Sequence, residues 1–221
     1  MKDAKAVATD KRSRRKPAAL ATVAAAAEWR LIGLLLERPR PGWREEIEAL
    51  AGESGDDALR RAAASAGAAN EGTYLHLVGP GGLVSPREVS YRPMEDPGWV
   101  LADLRRFYDA FAFHPRAEDP IDHIAVETSF VGYLFLKEAF ARAGGDDVAA
   151  ETTAAARRDF LEAHLGSIAH PFAERLEALA RSCPLSECAR LLAARAPVRQ
   201  AVALASATAD AASPCGSCAA I

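Results

Sequence analysis

The sequence predicts an all-α protein, a single globular multi-helix domain, on three observations. Half of its 221 residues are hydrophobic while aromatics are only 7%, and much of the apolar share is alanine and leucine, which lose little side-chain freedom in a helix. Apolar positions recur three and four residues apart over most of the chain. Glycine- and proline-rich breaks separate those stretches, and no alternating segment has an obvious partner strand.

The elements follow in order. Residues 1–20 form a basic arm expected to be disordered, 21–207 the helical domain, and 208–221 a flexible tail carrying cysteines. Within the arm, Lys11-Arg12-Ser13-Arg14-Arg15-Lys16 precedes the apolar stretch Ala18–Ala27, the outline of a twin-arginine export signal. Pro17 stands where a bulky apolar residue is usual, and the stretch continues through Glu28-Trp29-Arg30 into Leu31–Leu36. A solvated arm leading into a first helix is therefore the reading. Trp29, Ile32, Leu35 and Leu36 set that helix, and Pro39-Arg40-Pro41-Gly42 stops it. A short helix follows over Trp43–Ala51, then another from an Asp56/Asp57 cap through Ala69. Tyr74–Val78 has the composition of a strand without a partner, and Gly79–Pro97 reads as an ordered surface loop. From Pro97, the stripe Val100, Leu101, Leu104, Phe107, Tyr108 and Phe111 marks an amphipathic helix, and Phe113–Asp119 a second loop. Pro120–Arg142 is the most apolar helix and the expected centre of the fold. Gly144-Gly145-Asp146-Asp147 ends it and begins a helix with Phe160, Leu161 and Leu165, before Ile168–Arg181 and Leu185–Ala207.

A net charge of −3 gives no general case for nucleic-acid binding, which calls for a clustered basic excess. No uninterrupted apolar run reaches the roughly 20 residues that span a bilayer. A Gly-x-x-x-x-Gly-Lys phosphate loop is absent, and His123 with Glu127 offers only two ligands on one helix, so no catalytic residues and no cofactor are expected. The four cysteines come as two pairs, Cys183/Cys188 and Cys215/Cys218. They are read as ordinary thiols, with a metal-binding or redox helical protein built on the four as the alternative.

The informative segment is residues 113–140. Asp119 suits an N-cap, Pro120 the first helical position and Asp122 the third, where its carboxylate reaches back to the free amides. Glu127, four residues after His123, is placed to hydrogen-bond it along the helix. Gly132, with Ala125 and Ser129, forms a small-residue seam that lets a neighbouring helix approach.

Glu118-Asp119-Pro120-Ile121-Asp122-His123-Ile124, then Glu127, Phe130 and Leu134, resemble the hinge pattern E-x-P-D-H-I-x-x-E-L-x-F of the TorD/DmsD/NarJ family of redox-enzyme maturation chaperones. Ile121 is an extra residue between the proline and the Asp-His pair, and Thr128 replaces the usual leucine. Phe160…His164-Leu165, Pro171-Phe172, Leu176 and the Val78–Tyr91 loop are similar to further family segments. The resemblance implies a cytoplasmic assembly chaperone that is not an enzyme. Its expected partner is the apo catalytic subunit of a molybdoenzyme, its twin-arginine leader, or both, held for cofactor insertion before export. From charge and apolar run length no nucleic-acid partner and no stable membrane insertion are expected, and a hinge-containing helical domain is expected as a monomer or domain-exchanged dimer. The residues expected at the client-peptide site are Glu118, Asp119, Asp122, His123 and Glu127 of the hinge, with Tyr91 and Trp99. Acidic groups suit that task because guanidiniums pair bidentately with carboxylates. The aromatic-lined loops Tyr91–Trp99 and Phe111–Phe113 are candidates to hold the leader's apolar stretch.

Overall fold

The computed structural model describes residues 2–116 and 118–199, with backbone alone for residues 2–17. Among the described residues the regular elements are all helical: α1 (Lys2–Leu36), α2 (Trp43–Glu53), α3 (Asp57–Ser65), α4 (Glu71–Val78), α5 (Pro97–Ala110), α6 (Ile124–Gly144), α7 (Asp147–Phe160), α8 (Gly166–Ala180) and α9 (Pro184–Ala193). A π turn, Leu161–Leu165, joins α7 to α8, and short 3-10 turns cover Ala66–Ala68 and Glu88–Tyr91.

Local chemistry sets most boundaries. Asp56, Asn70, Asp96 and Asp146 cap α3, α4, α5 and α7 through their side chains. Gly145, at φ 82, closes α6 in the left-handed conformation that glycine adopts without strain. The strand-like run Tyr74–Val78 is the second half of α4, since the Asn70 cap, accepting from Thr73 N at 2.8 Å, starts a helix upstream of it. α1 begins at Lys2, within the stretch expected as an arm. α9 ends at Ala193 rather than continuing to Ala207, ahead of Pro197, which has no amide proton to donate and disfavours the helical region for the residue before it. Residues 200–207 and the tail 208–221 lie outside the described residues.

α6 is central, and α1 lies against it along the small-residue seam. A Cβ placed on Gly33 would sit 2.5 Å from Ser129 Oγ, and one on Gly132 would sit 3.1 Å from Arg30 N and 3.2 Å from Ala26 O. Arg30 spans the seam, donating to Ser129 Oγ at 3.0 Å and Glu37 Oε1 at 2.6 Å. Ala18–Leu36 is long and apolar enough to cross a membrane, but half of it is buried in the fold. Leu31, Ile32, Leu34 and Leu36 are fully buried against the core. On the other side of α6, Phe130 sits among Tyr108, Phe113 and Phe160 at centroid distances of 4.8, 5.1 and 4.7 Å. That aromatic cluster ties α5, α6, α7 and the loop after α5 together.

Candidate functional site

The hinge is built by a long-range pairing. The loop after α4 returns antiparallel to residues 121–124: Glu88 N donates to Asp122 O at 2.9 Å, and Ile124 N to Pro86 O at 2.9 Å. Pro120–His123 therefore close a turn, His123 N donating to Pro120 O at 2.9 Å, with His123 bridged to Arg87, and α6 starts at Ile124, not at Pro120. Asp119 is not its cap. His123 is, its Nδ1 accepting from Ala125 N at 3.1 Å. Asp122 does not reach the helix amides either; its fully buried carboxylate accepts from Arg87 Nε at 2.5 Å and Val89 N at 3.5 Å.

Those contacts fix the His123 tautomer. With Nδ1 accepting, Nε2 carries the proton and donates to Tyr74 Oη at 3.2 Å, and Tyr74 donates to Leu36 O at 3.4 Å. One chain of hydrogen bonds thus joins the start of α6, α4 and the end of α1. Burial lowers the His123 pKa to about 4, against a smaller opposing effect of Asp122, so the ring is neutral at pH 7. His123 bonds Tyr74, and Glu127, expected to bond His123, has no hydrogen-bond partner on either oxygen among the described residues.

Glu127 is fully buried. Burial raises its pKa well above the ordinary carboxylate value, and Glu88 and Asp122 push in the same direction. Glu88, also fully buried, accepts from Arg92 at 2.5 Å and lies 3.0 Å from His164 Nδ1. The other His164 nitrogen lies 3.1 Å from Asp103. His164 sits in the π turn, so the turn is locked to the loop and to α5 through one buried imidazole. Sequence reasoning missed Glu88 and His164 as hinge residues; the Phe160…His164-Leu165 segment was the available signal.

Beside the hinge lies an open groove of about 750 Å³. Its floor is apolar, from Val23, Ala26 and Ala27 of α1 and Val126, Gly132 and Leu136 of α6. The floor continues onto the exposed Leu20 and Phe140, one turn beyond Val23 and Leu136 on the same two helices. The rim is charged. Arg38 pairs with Glu71, and Arg40 with Glu46 at 2.8 Å, while Arg116, Glu118 and Asp119 complete the opposite wall. Among the described residues neither Glu118 nor Asp119 has a hydrogen-bonded partner; partial burial and the adjacent Glu118 raise the Asp119 pKa, against a smaller opposing effect of Arg38.

The residues expected at one site are therefore distributed over several environments. Glu118 and Asp119 line the groove with Phe113; Asp122, His123 and Glu127 lie buried behind it. Tyr91 is half-buried, its hydroxyl donating to Ser85 O at 2.7 Å and its ring 4.7 Å from the Arg175 guanidinium. Trp99 is exposed, beside a separate cavity of about 430 Å³ also lined by Asp103, Arg106 and His164. The groove arginines, and α1 as a wall, were not legible because the helix pairing that creates the groove is nonlocal. Cys188 is buried with Sγ 3.6 Å from Ile32 O, and burial holds its thiol well above its usual range. Among the described residues no group of three or more His, Cys, Asp or Glu is placed to hold a metal ion, and Cys215 and Cys218 lie outside them.

Residues 39–174 match the family model described as nitrate reductase delta subunit. Two curated relatives are each 36% identical over 113 residues, 49% of this chain: a chlorate reductase assembly chaperone protein of Ideonella dechloratans and a selenate reductase assembly chaperone protein of Thauera selenatis. The matched stretch spans 58% of each relative's length. No solved structure matches the chain. The family match runs from the groove's arginine loop through the hinge to α8, and the chain belongs to the nitrate reductase delta subunit family, the NarJ/TorD-type redox-enzyme maturation chaperones.

Proposed function

We propose that this protein is a cytoplasmic assembly chaperone, not an enzyme, for a molybdopterin-dependent oxidoreductase. It binds the client's catalytic subunit, with the twin-arginine leader as one of the segments it takes, and holds it until the cofactor is inserted and export can proceed. The observation that carries this reading is the groove: an apolar floor beside two carboxylates with no hydrogen-bonded partner among the described residues, in a chain of this family. An amphipathic client segment fits such a surface, its apolar side on α1 and α6 and its guanidiniums on Glu118 and Asp119. The printed names of the two relatives, assembly chaperones for chlorate and selenate reductase, support the client class. Asp122, His123 and Glu127 then shape the site from behind instead of touching the client.

The test is affinity capture of the tagged protein from cells expressing their molybdoenzymes, with mass spectrometry of what co-purifies. Recovery of a cofactor-poor catalytic subunit, reduced about tenfold or more by Glu118→Lys with Asp119→Lys, supports the reading; each lost charge-assisted contact is worth about 1.5–3 kcal/mol. Capture without any oxidoreductase subunit overturns it.

A further inference from the structure

Between Ser85 and Arg92 the loop after α4 meets the hinge through polar contacts, while its Val89 and Tyr91 pack against the core. The polar contacts are the backbone pair at Glu88 and Ile124, the Arg87–Asp122 ion pair, and Glu88 bridging Arg92 and His164. Under that contact lies Glu127, the first inward-facing carboxyl of α6, buried with neither oxygen hydrogen-bonded among the described residues. Buried polar groups are nearly always satisfied, so a carboxyl retained without a partner points to a second state in which it has one.

The groups around Glu127 say what that state requires. Glu88 faces it from the loop, Asp122 from the hinge and Tyr108 from α5. Arg92 of the loop is the cation within electrostatic reach, and it is engaged by Glu88, Glu95 and the carbonyl of Ala163. Arg87 is engaged by Asp122, and His164 by Glu88 and Asp103. A third negative charge beside Glu88 and Asp122 has no free cation to pair with while the loop is seated, so Glu127 is held as the neutral acid. With the loop seated, Glu127 is fully buried.

We propose that Glu127 is a proton-linked latch: the loop Ser85–Arg92 lifts off the hinge Ile121–Ile124 as the Glu127 carboxylic acid gives up its proton to water and becomes a hydrated carboxylate. The seated loop and the protonated acid are one state, the lifted loop and the carboxylate the other. This does not rest on the identity of any client.

Hydrogen exchange on the whole protein tests it, because the amides of Glu88 and Ile124 are the two bonds that must open. Their exchange, corrected for intrinsic rates, is compared between the natural protein and Glu127→Gln over pH 5–9. His123, Asp122 and Tyr108 are present in both proteins, so the ratio of the two opening constants isolates Glu127. That ratio is expected to rise about tenfold per pH unit from pH 5 and then level off where the seated acid itself ionises. A ratio constant over pH 5–9 overturns the proposal. A second readout needs no variant: infrared spectra of protein carrying carboxyl-labelled glutamate should show a protonated carboxylic acid band at pH 6, where exposed glutamates are ionised. Absence of that band overturns it as well.

Discussion

His123 carries two structural bonds on one neutral ring, and its pKa direction gives them a pH signature. The folded value is about 4 against an ordinary 6.5, so the unfolded chain binds the proton first. The stability contributed by neutral His123 is fully present above pH 6.5 and is lost as pH falls toward 4. Lowering pH from 7 to 5 should therefore reduce the urea midpoint, and His123→Asn, which keeps a good N-cap but cannot be protonated, should flatten that fall. At pH 7 the same variant should cost about 1 kcal/mol, the worth of the lost Tyr74 bond. Glu127 acts with the opposite sign: raised in the fold, its contribution is present below the ordinary carboxylate value and is lost as pH rises. Neither role was legible locally. Asp119-Pro120 is a sound helix start by composition, and what displaces it is a strand-like pairing to Pro86–Glu88, with Arg87 lying 35 residues before Asp122.

At the scale of elements, the α1–α6 seam is the feature the sequence stated best. Gly132, Ala125 and Ser129 were readable as a small face on one helix; that Gly33 and Ala26 supply the facing helix needed the fold. Gly132→Ala should gain about 1 kcal/mol of helix propensity yet meet backbone at 3.1 and 3.2 Å, leaving it near neutral or slightly destabilising. Gly132→Val has no such room and should lower stability by about 1–3 kcal/mol in urea unfolding, with the groove floor disturbed. The π turn Leu161–Leu165 is a second element-scale device. It was hidden in what reads as continuous helix, because one extra residue in a turn leaves the apolar spacing on either side intact. It brings His164 to Glu88 and Asp103 without shifting the buried faces of α7 and α8. Removing Ala163 should leave helicity unchanged in circular dichroism while abolishing the His164 contacts, seen as faster exchange at Glu88.

For the whole molecule, the structure separates what the sequence had pooled. Helix order apart from α4, the central helix and the family were legible, since periodicity and the hinge motif are local signals. The division of the site into an outer rim and a buried support was not, since burial depends on which helices meet. The two layers predict different phenotypes. Asp122→Ala leaves Arg87 without its partner and should destabilise the fold by about 1–3 kcal/mol, with any loss of client affinity following the loss of structure. Glu118→Lys with Asp119→Lys should leave the thermal midpoint within about 2 °C and act on binding alone. Equal effects of both sets on melting would remove the distinction.

The pairing of α1 with α6 also sets an order of events during synthesis. The apolar side of Ala18–Leu36 finds its main cover only after Ile124–Gly144 has been made. At about 5–20 residues per second that interval is on the order of ten seconds. For that time the nascent chain displays a segment long and apolar enough for a membrane, close behind a run of basic residues. Until α6 is made, α1 of this chain therefore offers targeting factors and holding chaperones the same apolar side that α6 later covers. Slowing translation between residues 40 and 140 should lengthen that exposure and lower the yield of folded chain, with no change in the stability of the molecules that do fold.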